Sequence, residues 1–201
     1  MTVNTWRQQL RDYIRQHAKP ADKFSHQPRL YSLACSLASG YEVDDDILFA
    51  ACWLHDLGVF VGHRPEDLQA LAKWDNVAYA ITQAPTLLKS WGFPVDKITA
   101  VQEAIQQHHP QARPTNIEAI LLHDADILEL IGAVGLLRAI SKVGRDSRFT
   151  TFHDVLPVLE RYLQFESDLL TEPARELAQP RLALVRQFIM QAKAESQGMQ
   201  L

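Results

Sequence analysis

Two histidines and two aspartates, His26, the adjacent pair His55-Asp56, and Asp126, run along this chain in the order His…His-Asp…Asp, each in a stretch with helical spacing. Two imidazoles and two carboxylates make a ligand set for one divalent cation of borderline softness. Four protein ligands on an octahedral ion leave room for water and a phosphate oxygen, so the chemistry implied is metal-dependent hydrolysis.

A His-Asp dipeptide carries little weight by itself. The chain has eight histidines in 201 residues, and three such dipeptides, at His55-Asp56, His123-Asp124 and His153-Asp154. Context separates them. His55-Asp56 follows the apolar run ILFAACWL, so two polar groups stand where a buried helix ends. Leaving both without partners would cost several kcal/mol. A shared metal satisfies them, and so does a hydrogen-bonded His-Asp helix cap. His153-Asp154 lies in a polar stretch and reads as a capping pair. His123, Asp124 and Asp126 crowd ionisable groups into an otherwise apolar helix, where a plain core would not hold them. On a helix Asp124 and Asp126 differ by about 200°. Only one of the two can face a common site, and the other either supports that site from behind or is structural.

The elements that must position these groups are helical nearly throughout. Apolar residues recur at three- and four-residue intervals, with turn signals between. Trp6, Leu10, Tyr13 and Ile14 define a first helix, and His26 to Ala38 a second, stopped by Gly40. Asp44-Asp45-Asp46 supplies a cap for a third, ending near Leu57-Gly58. Pro65 suits the first turn of a short helix from Glu66 to about Lys73. Further helices run from Asn76 to Trp91, from an Asp96 cap to His108-His109, and from a Thr115 or Asn116 cap through IEAILLHDADILELIG. The last is apolar on most sides and so central. A helix from Gly132 to Ser141 follows, then an exposed basic loop, KVGRDSRFTTFHD. The tail from Val155 to Lys193 is helical, with a break or kink at Pro180.

Bulk properties narrow the class. A chain of this length and 47% hydrophobic content buries a core without disulfides or a structural metal, so a bound ion is functional rather than a folding staple. A net charge of −4 offers no basic face to nucleic acid. Cys35 and Cys52 sit in apolar helical stretches and read as buried small hydrophobes. The polar, amphipathic start has no apolar secretory segment, and the run from Ile47 to Leu54 is too short to span a bilayer. A cytoplasmic protein is expected, as a monomer or a homo-oligomer.

The ordered residues resemble the HD superfamily of metal-dependent phosphohydrolases. HQPRL (His26 to Leu30) is similar to the family's H-x-x-R-V, and LHDLG (Leu54 to Gly58) to its H-D-[IL]-G. IQQHH (Ile105 to His109) resembles a histidine-bearing helix end found in many members. HDADILELIGAVGLLRA (His123 to Ala139) and TEPARELAQPRLALVRQF (Thr171 to Phe188) resemble segments of a subgroup of small bacterial HD hydrolases.

This resemblance implies an all-α, HD-domain-like, single-domain helical bundle, with a metal-binding core over about 22–132 and a C-terminal helical part over about 152–196. It implies His26, His55, Asp56 and Asp126 as metal ligands, Asp126 because the family's ligand falls in A-D-x-L, here Ala125 to Leu128. The cofactor would be one divalent ion, Mn, Mg, Fe, Co, Ni or Zn, and the partner a small phosphorylated substrate such as a nucleotide. Asp56 would also orient the attacking water and His108 act as an acid or phosphate contact. Arg29, His109 and Arg145 are the candidates for substrate phosphate, with Lys142, Arg145 and Arg148 on a lid-like loop.

Three positions depart from the pattern. Val59 stands where the subgroup often has an acid, and Ile127 replaces the arginine of A-D-R-L. Asp75-Asn76 stands where some members have Asp-His, which argues for one ion. Val59 and Ile127 also lend weight to an alternative, a non-catalytic HD-fold module that binds or senses a nucleotide. His63 and Arg64, in the loop after the His-Asp pair, could supply the polar group missing at Val59.

Overall fold

In a computed structural model of the chain, which describes residues 5–146 and 148–200, the regular elements are all helical. They are α1 (Trp6–His17), α2 (His26–Leu37), α3 (Asp45–Leu54), α4 (Leu68–Ala72), α5 (Asn76–Ser90), α6 (Ile98–Gln106), α7 (Ile117–Leu130), α8 (Gly132–Ile140), α9 (Leu156–Gln164) and α10 (Glu172–Glu195), joined by short 3-10 turns. The fold is all-α. The chain forms two compact units, one up to His123 and one from Asp124 onward, and the boundary falls inside α7.

In the first unit, α3 is the element around which the others assemble. Every residue from Leu48 to Leu54 is buried, because α1, α2 and α6 all pack against it. Asp44 starts it by accepting the amides of Asp46 and Ile47 at 3.0 and 3.3 Å, which satisfies two of the donors every helix start leaves open. A charged cluster fastens the same end: Arg7 of α1 pairs with Asp45 and Asp46, and Lys97 with Asp44 and Asp46. Leu30, Ala34 and Leu37 form the buried stripe of α2, and Gly40 follows in the left-handed conformation at φ 87°, where a glycine carries no Cβ penalty.

In the second unit, α10 packs against both α8 and α9. Asp124, fully buried, accepts the amides of Leu170 and Thr171 and the Thr171 hydroxyl at 2.9, 2.7 and 2.7 Å. Thr171 in turn caps α10.

Several expectations are corrected. Pro180 does not break the final helix, which is continuous from Glu172 to Glu195. Both Pro180 and Glu176, whose carbonyl loses its amide partner, are exposed, so water can serve that carbonyl. The interruption comes earlier, at the 3-10 turn Phe165–Asp168 and the extended Leu169. Asp67, not Pro65, begins α4, accepting the Ala70 amide. Lys97 precedes α6, with Asp96 inside the 3-10 turn before it. Asn116 rather than Thr115 caps the start of α7. Cys52 is buried, but Cys35 is exposed on the outer side of α2. In the loop after α8, Arg145 and Arg148 are exposed as expected, while Phe149 is buried, with Lys142 over its ring and Arg148 bonded twice to Asp146. Asp154 does cap as expected, closing a reciprocal box with Thr151. No helix among the described residues is long and apolar enough to cross a membrane.

Candidate metal centre

Two helix ends meet at the centre of the first unit. His26 is the first residue of α2, and His55 is the C-cap of α3, its amide still bonded to the Ala51 carbonyl at 3.0 Å. Their Nε2 atoms are 3.4 Å apart. Asp56 Oδ2 closes the triangle, 3.8 Å from His26 Nε2 and 3.7 Å from His55 Nε2. Both rings are buried, while the Asp56 side chain keeps 19% of its surface exposed. The cluster therefore opens to solvent on its carboxylate side.

The orientation of His55 follows from one bond. Its Nδ1 lies 3.0 Å from the Cys52 carbonyl. A carbonyl only accepts, so Nδ1 carries a proton, and the position left for a lone pair is Nε2, which faces His26 and Asp56. His108, just past α6, repeats the arrangement, with Nδ1 2.6 Å from the Ile105 carbonyl. It is buried, and its ring meets that of His55 edge-on at 5.1 Å.

These residues fit a divalent cation. Bonds of about 2.1 Å put two ligand atoms roughly 3.0 Å apart at the right angle of an octahedral ion and roughly 3.4 Å apart at a tetrahedral angle. The triangle has edges of that order, its three atoms belong to ligand types such ions take, and one ring is already held in the ligating tautomer.

The segment behind the pair is built to hold it still. Gly58 packs so closely on the start of α5 that a Cβ there would lie 2.4 Å from the Asn76 carbonyl oxygen. The indole of Trp74 donates to the Gly58 carbonyl at 2.8 Å. Asp75 is occupied as the cap of α5, accepting the Val77 and Ala78 amides.

The other sequence candidates lie as follows. Arg29 is one turn beyond His26 on α2 and half-buried. His109 is exposed and stacked on His108 at 4.6 Å. Asp126 belongs to the second unit, half-buried, and its charge is felt by the buried Tyr162 hydroxyl. Arg145, also in the second unit, is exposed on the loop after α8. His123 is buried and its Nε2 lies 3.2 Å from the Pro110 carbonyl, a structural bond. Ile127 is fully buried, so an apolar core residue occupies the arginine position of the family pattern. His63 bonds to His17 and Tyr79, a connection that no sequence spacing signalled.

Residues 24–131 match the family model described as the HD domain. The chain belongs to the HD domain family. Among solved structures, this HD protein is similar to Bacillus subtilis YpgQ in complex with ADP, at 22% identity and a TM-score of 0.71, over 96% of this chain and 98% of that one. It is also similar to a predicted HD superfamily hydrolase from an uncultured Thermotogales bacterium, at 26% identity and a TM-score of 0.62, over 94% and 90% of the chains. A third likeness is to an HD-superfamily hydrolase from Bacillus thuringiensis, at 20% identity and a TM-score of 0.70, over 96% and 97%. No curated protein matches this HD chain.

Proposed function

We propose that this HD protein is a metal-dependent phosphohydrolase that uses one divalent ion on a phosphate ester or anhydride. The observation that carries the reading is the His26–His55–Asp56 triangle, with edges of 3.4 to 3.8 Å and a carboxylate facing solvent. Asp126 is the fourth ligand in this proposal, and Asp124 is set aside because Leu170 and Thr171 already occupy its carboxylate. A cation bound there would bring water closer to ionisation at neutral pH and offset charge on the phosphoryl oxygens.

The chain's own groups supply the rest. Asp56 orients the attacking water on the open side. His108, its Nδ1–H committed to Ile105, offers Nε2 to take up a proton and return it to the leaving oxygen. Arg29, His109 and Arg145 bind substrate phosphate, Arg29 by two parallel N–H bonds of the kind guanidinium makes to phosphate. Nucleotides are the first substrates to try, because similarity reaches a relative seen with ADP. The core of about 22–132 and the helical part of about 152–196 act as one functional domain, in the cytoplasm.

The test is elemental analysis of protein purified without chelator, with turnover measured on nucleotides and sugar phosphates in added Mn²⁺. Bound metal and hydrolysis are expected, and both are lost in Asp56→Ala while the helical circular-dichroism signal stays. Metal-free protein with no turnover would sink the enzyme reading. The buried Ile127 favours a second reading, a nucleotide-binding module without catalysis. That module would raise its melting temperature with ADP, by mass action, and hydrolyse nothing.

A further inference from the structure

A second histidine cluster lies apart from the metal triangle. His17, the last residue of α1, places Nδ1 2.8 Å from Nε2 of His63, in the loop that follows His55-Asp56. The other nitrogen of His63 is 2.9 Å from the Tyr79 hydroxyl on α5. Tyr13 stacks on the His17 ring at 4.1 Å. The same loop touches α1 once more, through the Val61 amide bonded to the Lys19 carbonyl at 3.1 Å, and its turn closes by His63 and Arg64 amides on the Phe60 carbonyl.

Proton counting sets what this chain can do. Two ring nitrogens at hydrogen-bond distance share one hydrogen, so one ring donates and the other accepts. With both rings neutral, or only the donor charged, the bond stands. When both rings are charged, N–H faces N–H and the bond is gone. The titratable and charged groups around the pair are Tyr13 and Lys19 from the α1 side, Arg64 in the loop and Tyr79 on α5. Among the described residues no carboxylate is hydrogen-bonded to either ring.

We propose that His17 and His63 form a proton-operated latch, closed at neutral pH, that fastens the loop behind the His55-Asp56 pair to α1 and releases it when both imidazoles are protonated. Burial, and the positive charge of Lys19 on His17 and of His17 on His63, hold both rings below the ordinary histidine value. The sign follows. Because folding lowers these values, the latch contributes fully above the unfolded value of about 6.5 and is lost as pH falls below it.

Hydrogen exchange of the Val61, His63 and Arg64 amides tests this without reference to metal or turnover. After correction for intrinsic rates, protection should fall roughly tenfold from about pH 7 to about pH 5. In His17→Asn, whose amide can still bond but cannot titrate in this range, protection should not change with pH. Unchanged protection in the parent protein overturns the latch, and so does an equal fall in the variant. If the variant does not fold, ¹⁵N spectra of the parent's imidazoles decide: two coupled titrations with the second well below 6.5 are expected, and two independent ordinary titrations overturn it.

Discussion

Asp124 accepts both the backbone amide and the hydroxyl of Thr171, each at 2.7 Å, so one carboxylate anchors the residue that starts the last helix. Its neighbour two positions on, Asp126, is half-buried and is the fourth ligand proposed for the metal. The two aspartates of one motif therefore predict different phenotypes. Asp124→Ala leaves two amides and a hydroxyl without their acceptor in a buried setting and should cost about 2–4 kcal/mol, read as a lower denaturation midpoint. Asp126→Ala should leave that midpoint within about 1 kcal/mol and lower metal affinity instead. Reversed phenotypes would exchange the two roles.

His55 should be the least tolerant of change among the proposed ligands. Its ring is fully buried and its Nδ1 is tied to Cys52, so His55→Ala removes a proposed ligand and opens a cavity together. Metal content after dialysis should fall to background, with a stability loss of about 2–3 kcal/mol. His55→Gln keeps more of the volume and should recover part of the stability but none of the metal. Metal retained in both variants would show that the triangle is not the binding site.

Gly58 is required by contact rather than by backbone angle. A methyl group there meets the Asn76 carbonyl oxygen and Cα at 2.4 and 2.7 Å, and backbone cannot swing aside as a side chain can. Gly58→Ala should therefore destabilise by about 1–3 kcal/mol and displace the 3-10 turn that begins after Asp56. Urea denaturation reads the first effect, and amide chemical shifts of Leu57 to Val59 the second. Wild-type stability would mean that α5 yields freely.

The Asp46 carboxyl is held below its usual range chiefly by its hydrogen bond to Arg7, with Lys97 adding to this and burial opposing it. A depressed carboxylate stabilises the fold above its unfolded value, about 3.9, and the contribution disappears as pH falls through the folded value. Arg7→Gln should therefore flatten the acid limb of the stability curve below about pH 4 and leave its shape at neutral pH unchanged. Calorimetry across that range measures it. An identical acid limb would remove Asp46 from the account of acid unfolding.

Much of the architecture was legible because it is written in local patterns. Of the stripe that three- and four-residue spacing predicts for α2, Leu30, Ala34 and Leu37 are buried and Leu33 is half-buried; the stripe, the Asp44 cap and the stop at Gly40 each follow from residues within a few positions of one another. Pro180 misled because a proline's effect depends on whether the freed carbonyl meets solvent, which the neighbouring sequence does not reveal. Cys35 misled because an apolar stretch of helix has an outer side too.

By itself, the sequence determined that this protein is helical, where most helices start and stop, and which His and Asp residues could serve a metal. Those properties depend on short-range spacing and on side-chain chemistry. Only the tertiary structure decided that His26 and His55, twenty-nine positions apart, point Nε2 at one another beside Asp56, that Thr171 claims Asp124, and that His17 reaches His63. Each of these is a meeting of distant segments brought about by burying apolar surface, and burial is a property of the whole chain, not of any window along it.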